Sequence, residues 1–288
     1  MFHMSISQGT SPLLTRVLGR TGRKVSLFGL GGEGVLRTRG RMAEAVAVIR
    51  RAIEEGVTYF DTAPAYEESR DYLGRALGAD RANVFLASKT HARDADGTKL
   101  LIADTLARLR TDHLDLLQLH DLREMEDLDR IFGKGGAMEA VLEAVGEGSV
   151  KHVGITGHHD PRILAEAMRR HPFDTVLTVV NPAEPSGISF AKEVIPAARA
   201  LGMGVIGMKV MARGKVFHLK ETDTGPKALR YAWSRDVDTA IVGCWTPEEV
   251  SENARAAREF TPLTAGEIAA AEEAALPVAR IVNPWKAV

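Results

Sequence analysis

Four side chains in the first half of this sequence, Asp61, Tyr66, Lys89 and His120, are of the types that can together deliver a proton to a developing alkoxide. The stretch Phe60-Asp61-Thr62-Ala63-Pro64-Ala65-Tyr66 sets an acid and a phenol five residues apart, and Pro64 fixes the turn between them. A phenol is too weak an acid for the task unless its pKa of about 10 is lowered. A nearby ammonium favours the phenolate, and a carboxylate behind the lysine holds that charge in place. An imidazole can donate to a carbonyl oxygen and stabilise the negative charge that grows on it. Reduction of a carbonyl by hydride transfer needs these functions at one point. Taken singly, each residue has a plainer reading: a capping acid, a packed loop tyrosine, a snorkelling or paired lysine, a hydrogen-bonded core histidine. A Schiff-base aldolase built on Lys89 is the chemical alternative, but it requires a neutral lysine, and Asp61 acts against that.

The plain readings weaken if the chain brings the four together. Short apolar runs at residues 26–30, 57–60, 84–87, 114–119, 152–155, 175–180, 204–208 and 239–242 read as strands buried on both faces. Helical periodicities lie between them, at Met42, Val46, Ile49 and Ile53, at Ile102, Leu106 and Leu109, at Met138, Leu142 and Val145, and at Val194, Ala198 and Leu201. Asp160-Pro161 and Thr246-Pro247 read as helix starts, and Thr246 with Glu249 and Thr264 with Glu267 have capping-box spacing. Gly56, Gly78 and Gly202 stand where helices should stop. Before the first run, Arg16–Gly19 and Lys24–Ser26 flank a glycine-containing turn, a hairpin signal. The expected architecture is a single (β/α)8 TIM barrel with a short N-terminal β-hairpin, spanning residues 14–288 after a flexible tail over 1–13. In such a barrel, chemistry comes from the C-terminal ends of the strands, where Asp61, Lys89 and His120 stand. A helix-poor insert over 121–135 should lie on that face, as an apolar pocket wall (Leu122, Met125, Leu128, Ile131, Phe132) or a solvated lid.

Composition narrows the classes. The 288 residues are 45% hydrophobic and 26% charged, ordinary for a globular protein. A net charge of -1 offers no field for nucleic acid or an anionic membrane, and no apolar run reaches membrane-spanning length. One cysteine, Cys244, excludes an internal disulfide and suits a reducing cytoplasm. Gly29-Leu30-Gly31-Gly32-Glu33-Gly34 matches G-x-G-x-x-G after a strand, but residues 35–41 separate it from helical periodicity, so a Rossmann fingerprint is disfavoured. Gly31 and Gly32 still suit a flexible loop approached closely by a ligand.

The sequence resembles the aldo-keto reductase family nearly end to end. The likeness runs through the hairpin, Asp61 to Tyr66, Ser88-Lys89, Leu119-His120, Val153-Gly154-Ile155-Thr156-Gly157 and the segment 241–253. Asp61, Tyr66, Lys89 and His120 coincide in order and context with that family's catalytic tetrad. The resemblance implies a barrel that reduces aldehydes or ketones with a nicotinamide cofactor, usually NADPH, without metal. Tyr66 is then the proton donor, Lys89 its pKa-lowering partner, Asp61 the anchor of Lys89 and His120 the carbonyl orienter. A cofactor-binding redox sensor with little turnover is the alternative.

The cofactor side departs from the family pattern. Gly154-Ile155-Thr156-Gly157 stands where many members have Gly-Val-Ser-Asn; Thr156 can replace the serine, but Gly157 has no amide, which Asn181 could supply unless it only makes an Asn-Pro turn. Met208 falls where an aromatic ring often stacks on the nicotinamide, and Lys209 beside it is a phosphate partner. Near Thr246 and Asn253, the positions that grip a 2′-phosphate in NADPH-dependent relatives by Lys, Ser and Arg are Gly243, Cys244 and Glu249. An acid there repels a 2′-phosphate and accepts from a ribose hydroxyl, unless Glu249 only caps its helix and Arg255 binds the phosphate. Both NADP(H) and NAD(H) stay open, with a lean toward NADH or use of both.

Overall fold

The protein is described by a computed structural model covering residues 11–286. Ten strands follow in chain order: β1 (Thr15–Val17), β2 (Lys24–Ser26), β3 (Phe28–Gly34), β4 (Tyr59–Asp61), β5 (Phe85–Thr90), β6 (Leu114–Leu119), β7 (Val150–Thr156), β8 (Thr175–Val179), β9 (Gly204–Met208) and β10 (Thr239–Cys244). β1 and β2 form an antiparallel hairpin, and β3 to β10 close into a parallel barrel with β10 beside β3. This is the expected (β/α)8 architecture. No helix among the described residues is long and apolar enough to cross a membrane.

Side chains alternate in and out along a strand, so every second residue of each barrel strand faces the interior. The lower interior is apolar: Tyr59, Phe85, Ala87, Leu116, Leu177 and Ile206 form one cluster, and Leu18 and Val25 of the hairpin join it from below. Tyr59 stacks on Phe85 with ring centroids 5.6 Å apart. The hairpin therefore plugs the end where the strands begin. Two residues further along the same strands come Asp61, Lys89 and Gln118, so the upper interior turns polar. The apolar runs of the sequence contain both layers, and the polar residues at or beside the ends of β4, β5 and β6 mark the open end.

Helices cover the outside, on the expected face in Ala95–Leu109, where Ile102 and Leu109 are buried and Leu106 packs against the core, and on rotated faces elsewhere. In Met42–Glu54 the buried residues are Ala45, Val48, Ile49 and Ala52, while Met42 is exposed. In Ala137–Glu147 they are Ala137, Met138, Ala140, Val141 and Ala144, leaving Leu142 and Val145 exposed. Leu201 is likewise exposed. Alanine brings a helix backbone close to the barrel, so a face defined by large residues alone is rotated from the true one. Asp160, Thr246 and Thr264 do cap their helices, and Thr264 with Glu267 completes a capping box. Glu249 does not complete one, because its carboxylate accepts from the Trp245 N–H at 2.7 Å.

The segment 121–135 is not helix-poor. It contains the helix Met125–Phe132, whose Leu128 and Ile131 are fully buried with Leu122 in the outer core, so it is neither a pocket wall nor a lid. Arg93 pins it by pairing with Asp127 at 2.8 Å. Of the expected tail over 1–13, residues 1–10 lie outside the described residues, and Leu13 is already buried against the barrel.

Candidate active site

The glycine-rich run 29–34 is strand rather than loop, since β3 continues to Gly34 and pairs there with Cys244 of β10. Close packing dictates its composition. A Cβ on Gly32 would lie 2.8 Å from the Tyr66 ring and 2.9 Å from the Asp61 carbonyl, and Gly34 has φ +65°. Gly32 thus lets Tyr66 lie back over the strand, next to β4.

At the C-terminal end of the barrel, Lys89 donates to Asp61 Oδ1 and, at 2.9 Å, to the Thr62 carbonyl. Gln118 donates to Asp61 Oδ2 at 3.2 Å. Asp61 and Lys89 are essentially inaccessible to water. The Lys89 ammonium lies 4.9 Å from the centroid of the Tyr66 ring, and the Arg37 guanidinium lies 5.2 Å from it. The His120 ring meets the Tyr66 ring edge-on at 6.1 Å. The four residues singled out for chemistry share one small volume.

Burial opposes charge on Lys89, but Asp61 and the Tyr66 oxygen outweigh it and hold the ammonium above its ordinary pKa. Burial raises the Asp61 carboxyl as well, against the pull of Lys89, but an ammonium held above its ordinary pKa is the opposite of the neutral lysine an aldolase needs. Burial raises the Tyr66 phenol and Lys89 lowers it, and burial prevails, so the phenol stays protonated at neutral pH. The lowering influence expected of Lys89 is present, without a net fall. Burial, then the Lys89 charge, pushes His120 down to about 3, leaving a neutral imidazole.

A cavity of about 700 Å³ runs from this cluster across the barrel mouth to the first turn of the helix Pro247–Arg258. Eight of the ten residues expected to hold a cofactor line it: Gly31, Gly32, Thr156, Met208, Lys209, Gly243, Glu249 and Asn253. Thr246 and Asn181 do not. Thr246 caps the helix. The Asn181 amide is spent on the Lys209 carbonyl and on Asn283, with which it exchanges two hydrogen bonds of 2.9 and 3.2 Å. It ties the C-terminal segment to the barrel, and that segment brings Trp285 to the cavity, 4.6 Å from the Lys209 ammonium. Burial and then Arg213 lower the Lys209 pKa. Cys244 is buried, with its thiol pushed up to about 12 by burial, and receives a contact from the Asn253 amide at 3.5 Å.

Other residues of the site carry weaker signals in the sequence. Gln118, which holds Asp61 without lining the cavity, follows from period-two alternation between Leu116 and His120. His158 carried only its place after β7 as a signal. Trp245 and Trp285 belong to irregular segments, and no local pattern marks where they point. Glu252 joins Glu249 at the far end of the cavity and also lines the neighbouring depression, which Arg255 and Arg51 share with it.

The sequence pattern of the Aldo/keto reductase family matches residues 27–228. L-galactose dehydrogenase of Arabidopsis thaliana is 28% identical over 291 residues, covering 86% of this chain and 89% of that protein. A structure from Pseudomonas aeruginosa assigned to the aldo-keto reductases has a TM-score of 0.72 at 26% identity, covering 85% of this chain and 95% of that one. The aldo-keto reductase AKR11C1 of Bacillus halodurans has a TM-score of 0.77 over 91% of this chain and 96% of its own, a likeness of fold at 24% identity.

Proposed function

The chain belongs to the aldo/keto reductase family, and from that premise we propose that Asp61, Tyr66, Lys89 and His120 carry out its reaction, the NAD(P)H-dependent reduction of a small aldehyde or ketone to the alcohol. The observation that carries this reading is the buried Lys89–Asp61 pair set against the ring of a phenol that opens onto the cavity beside a neutral imidazole. The bound dinucleotide supplies the hydride. Tyr66 gives its phenolic proton to the carbonyl oxygen, and Lys89 stabilises the phenolate left behind. Asp61, held by Gln118, keeps Lys89 charged and in place. His120, neutral, donates a hydrogen bond that orients the carbonyl and takes up part of its developing charge. We read residues 14–288 as one domain, and the single buried thiol suits the cytoplasm.

The cavity's length and lining suit a dinucleotide. Thr156 and Met208 lie toward the proton-transfer end, Lys209 and Arg213 offer cations to the phosphates, and Gly243, Glu249 and Asn253 stand where the adenosine would end. Two acids, Glu249 and Glu252, line that end, while Arg255 lines the neighbouring depression that shares Glu252. Carboxylates accept from a ribose 2′-hydroxyl and repel a 2′-phosphate, which supports NADH or both cofactors rather than NADPH alone. Steady-state oxidation of each reduced cofactor, run with a panel of aldehydes, tests this. Catalytic efficiency with NADH should equal or exceed that with NADPH, and Glu249→Ala should shift the ratio toward NADPH. A preference for NADPH of about a hundredfold or more, undiminished in Glu249→Ala, would contradict it; that ratio corresponds to roughly 2.7 kcal/mol.

A further inference from the structure

Beside the proton-transfer cluster, Asp121 follows β6, and His158 and His159 follow the adjacent strand β7. Asp121 Oδ1 lies 3.3 Å from His158 Nδ1 and 3.3 Å from His159 Nε2, and the three atoms all lie within 4.8 Å of one another. Yet Asp121 Oδ1 and His159 Nε2 are buried without a hydrogen-bond partner, so these close approaches do not satisfy the atoms that make them. The two imidazoles lie with ring centroids 4.3 Å apart and 35° between planes. Zinc–nitrogen and zinc–oxygen bonds are about 2.0–2.2 Å, so two donors on one ion stand roughly 3–3.5 Å apart. The separations from Asp121 to both imidazoles fall in that range.

We propose that Asp121, His158 and His159 bind one divalent transition-metal ion. Two imidazoles and one carboxylate suit zinc, cobalt or nickel, not calcium or magnesium, which take oxygen ligands. Asp121 Oδ2 accepts from Arg123 at 2.6 and 2.9 Å, an outer partner that fixes the carboxylate and leaves Oδ1 for the ion. His158 also lines the main cavity, which provides an entry path and leaves the remaining coordination positions to water. Bound there, the ion would tie the segment after β6 to the segment after β7 beside His120. The site is separate from the groups assigned to proton transfer and does not depend on the reductase reading.

The test uses the full chain, freed of metal by chelation and titrated with cobalt(II), followed by calorimetry and by the visible absorption of the bound ion. One ion per chain should bind saturably and be released by chelator. Asp121→Asn and His159→Gln should each weaken binding by about 100-fold, since even outer-shell losses cost 10–100-fold. Thermal melting of each variant without metal, compared with the parent chain, separates loss of the site from loss of the fold. If neither variant folds, His158→Gln is measured in their place with the same expected loss. No saturable one-to-one binding, or less than about tenfold weakening in a folded variant, would overturn the proposal.

Discussion

Tyr66→Phe is expected to lower kcat for aldehyde reduction by about 10²–10⁴-fold, the range that positioned general acids contribute. Only the hydroxyl is removed. The ring that packs over Gly32, within reach of both the Lys89 ammonium and the Arg37 guanidinium, is kept, so fold and cofactor affinity should not change. Because burial holds the phenol above its ordinary pKa, the donor is protonated throughout the neutral range. The loss should therefore be the same at mildly acidic and mildly alkaline pH. Stopped-flow turnover and cofactor titration of both proteins check this, and a loss of less than tenfold would remove Tyr66 from the role.

Lys89→Met should damage both chemistry and stability. The methionine fills much of the same volume, but Asp61 is left as an unpaired buried carboxylate, with only Gln118 and no cation beside it. Breaking a buried pair from one side typically costs about 3–5 kcal/mol. The double variant Asp61→Asn with Lys89→Met removes the stranded charge and should recover most of that loss. Activity should stay absent in both, because the phenolate no longer has its ammonium. Urea midpoints give the first comparison and kcat the second. A single variant as stable as the parent, or a double variant that regains turnover, would contradict the assignment of Lys89.

The barrel is legible because its strands are short, mostly Val- and Leu-rich runs, and the site because the runs at β4, β5 and β6 end in or lead straight into polar residues. Asp61, Lys89 and His120 each close such a run, and the distance between them in sequence is bridged by strand adjacency. Gln118 sits within its run, where only alternation marks it as inward. The helix faces are hard to read where alanine, not leucine, meets the barrel, as at Ala140 and Ala144. The helix Met125–Phe132 does carry a helical repeat, with Met125, Leu128, Ile131 and Phe132 at i, i+3, i+6 and i+7, but two turns are too short a run to stand apart from an irregular insert. Asn181 makes the Asn-Pro turn that was the alternative to a cofactor contact, its Oδ1 accepting from the Ala183 N–H at 3.1 Å. Its partner Asn283 is 102 residues away, and nothing local tells a structural amide from a ligand-binding one. The cofactor end was half legible: Gly243 and Glu249 line the cavity, but the orientation of Arg255 and the arrival of Trp285 depend on tertiary packing.

The proposed reaction moves a hydride to a carbonyl carbon and a proton from Tyr66 to its oxygen. The most direct measurement follows the hydride itself. With reduced nicotinamide cofactor carrying deuterium at the transferable position, mass spectrometry of the alcohols formed from an aldehyde panel should find the label on the former carbonyl carbon. The labelled product should fall about 10²–10⁴-fold in Tyr66→Phe at unchanged cofactor binding. Tight cofactor binding by the parent chain with no labelled alcohol from any member of the panel would contradict the account and leave a protein that binds the dinucleotide without using it.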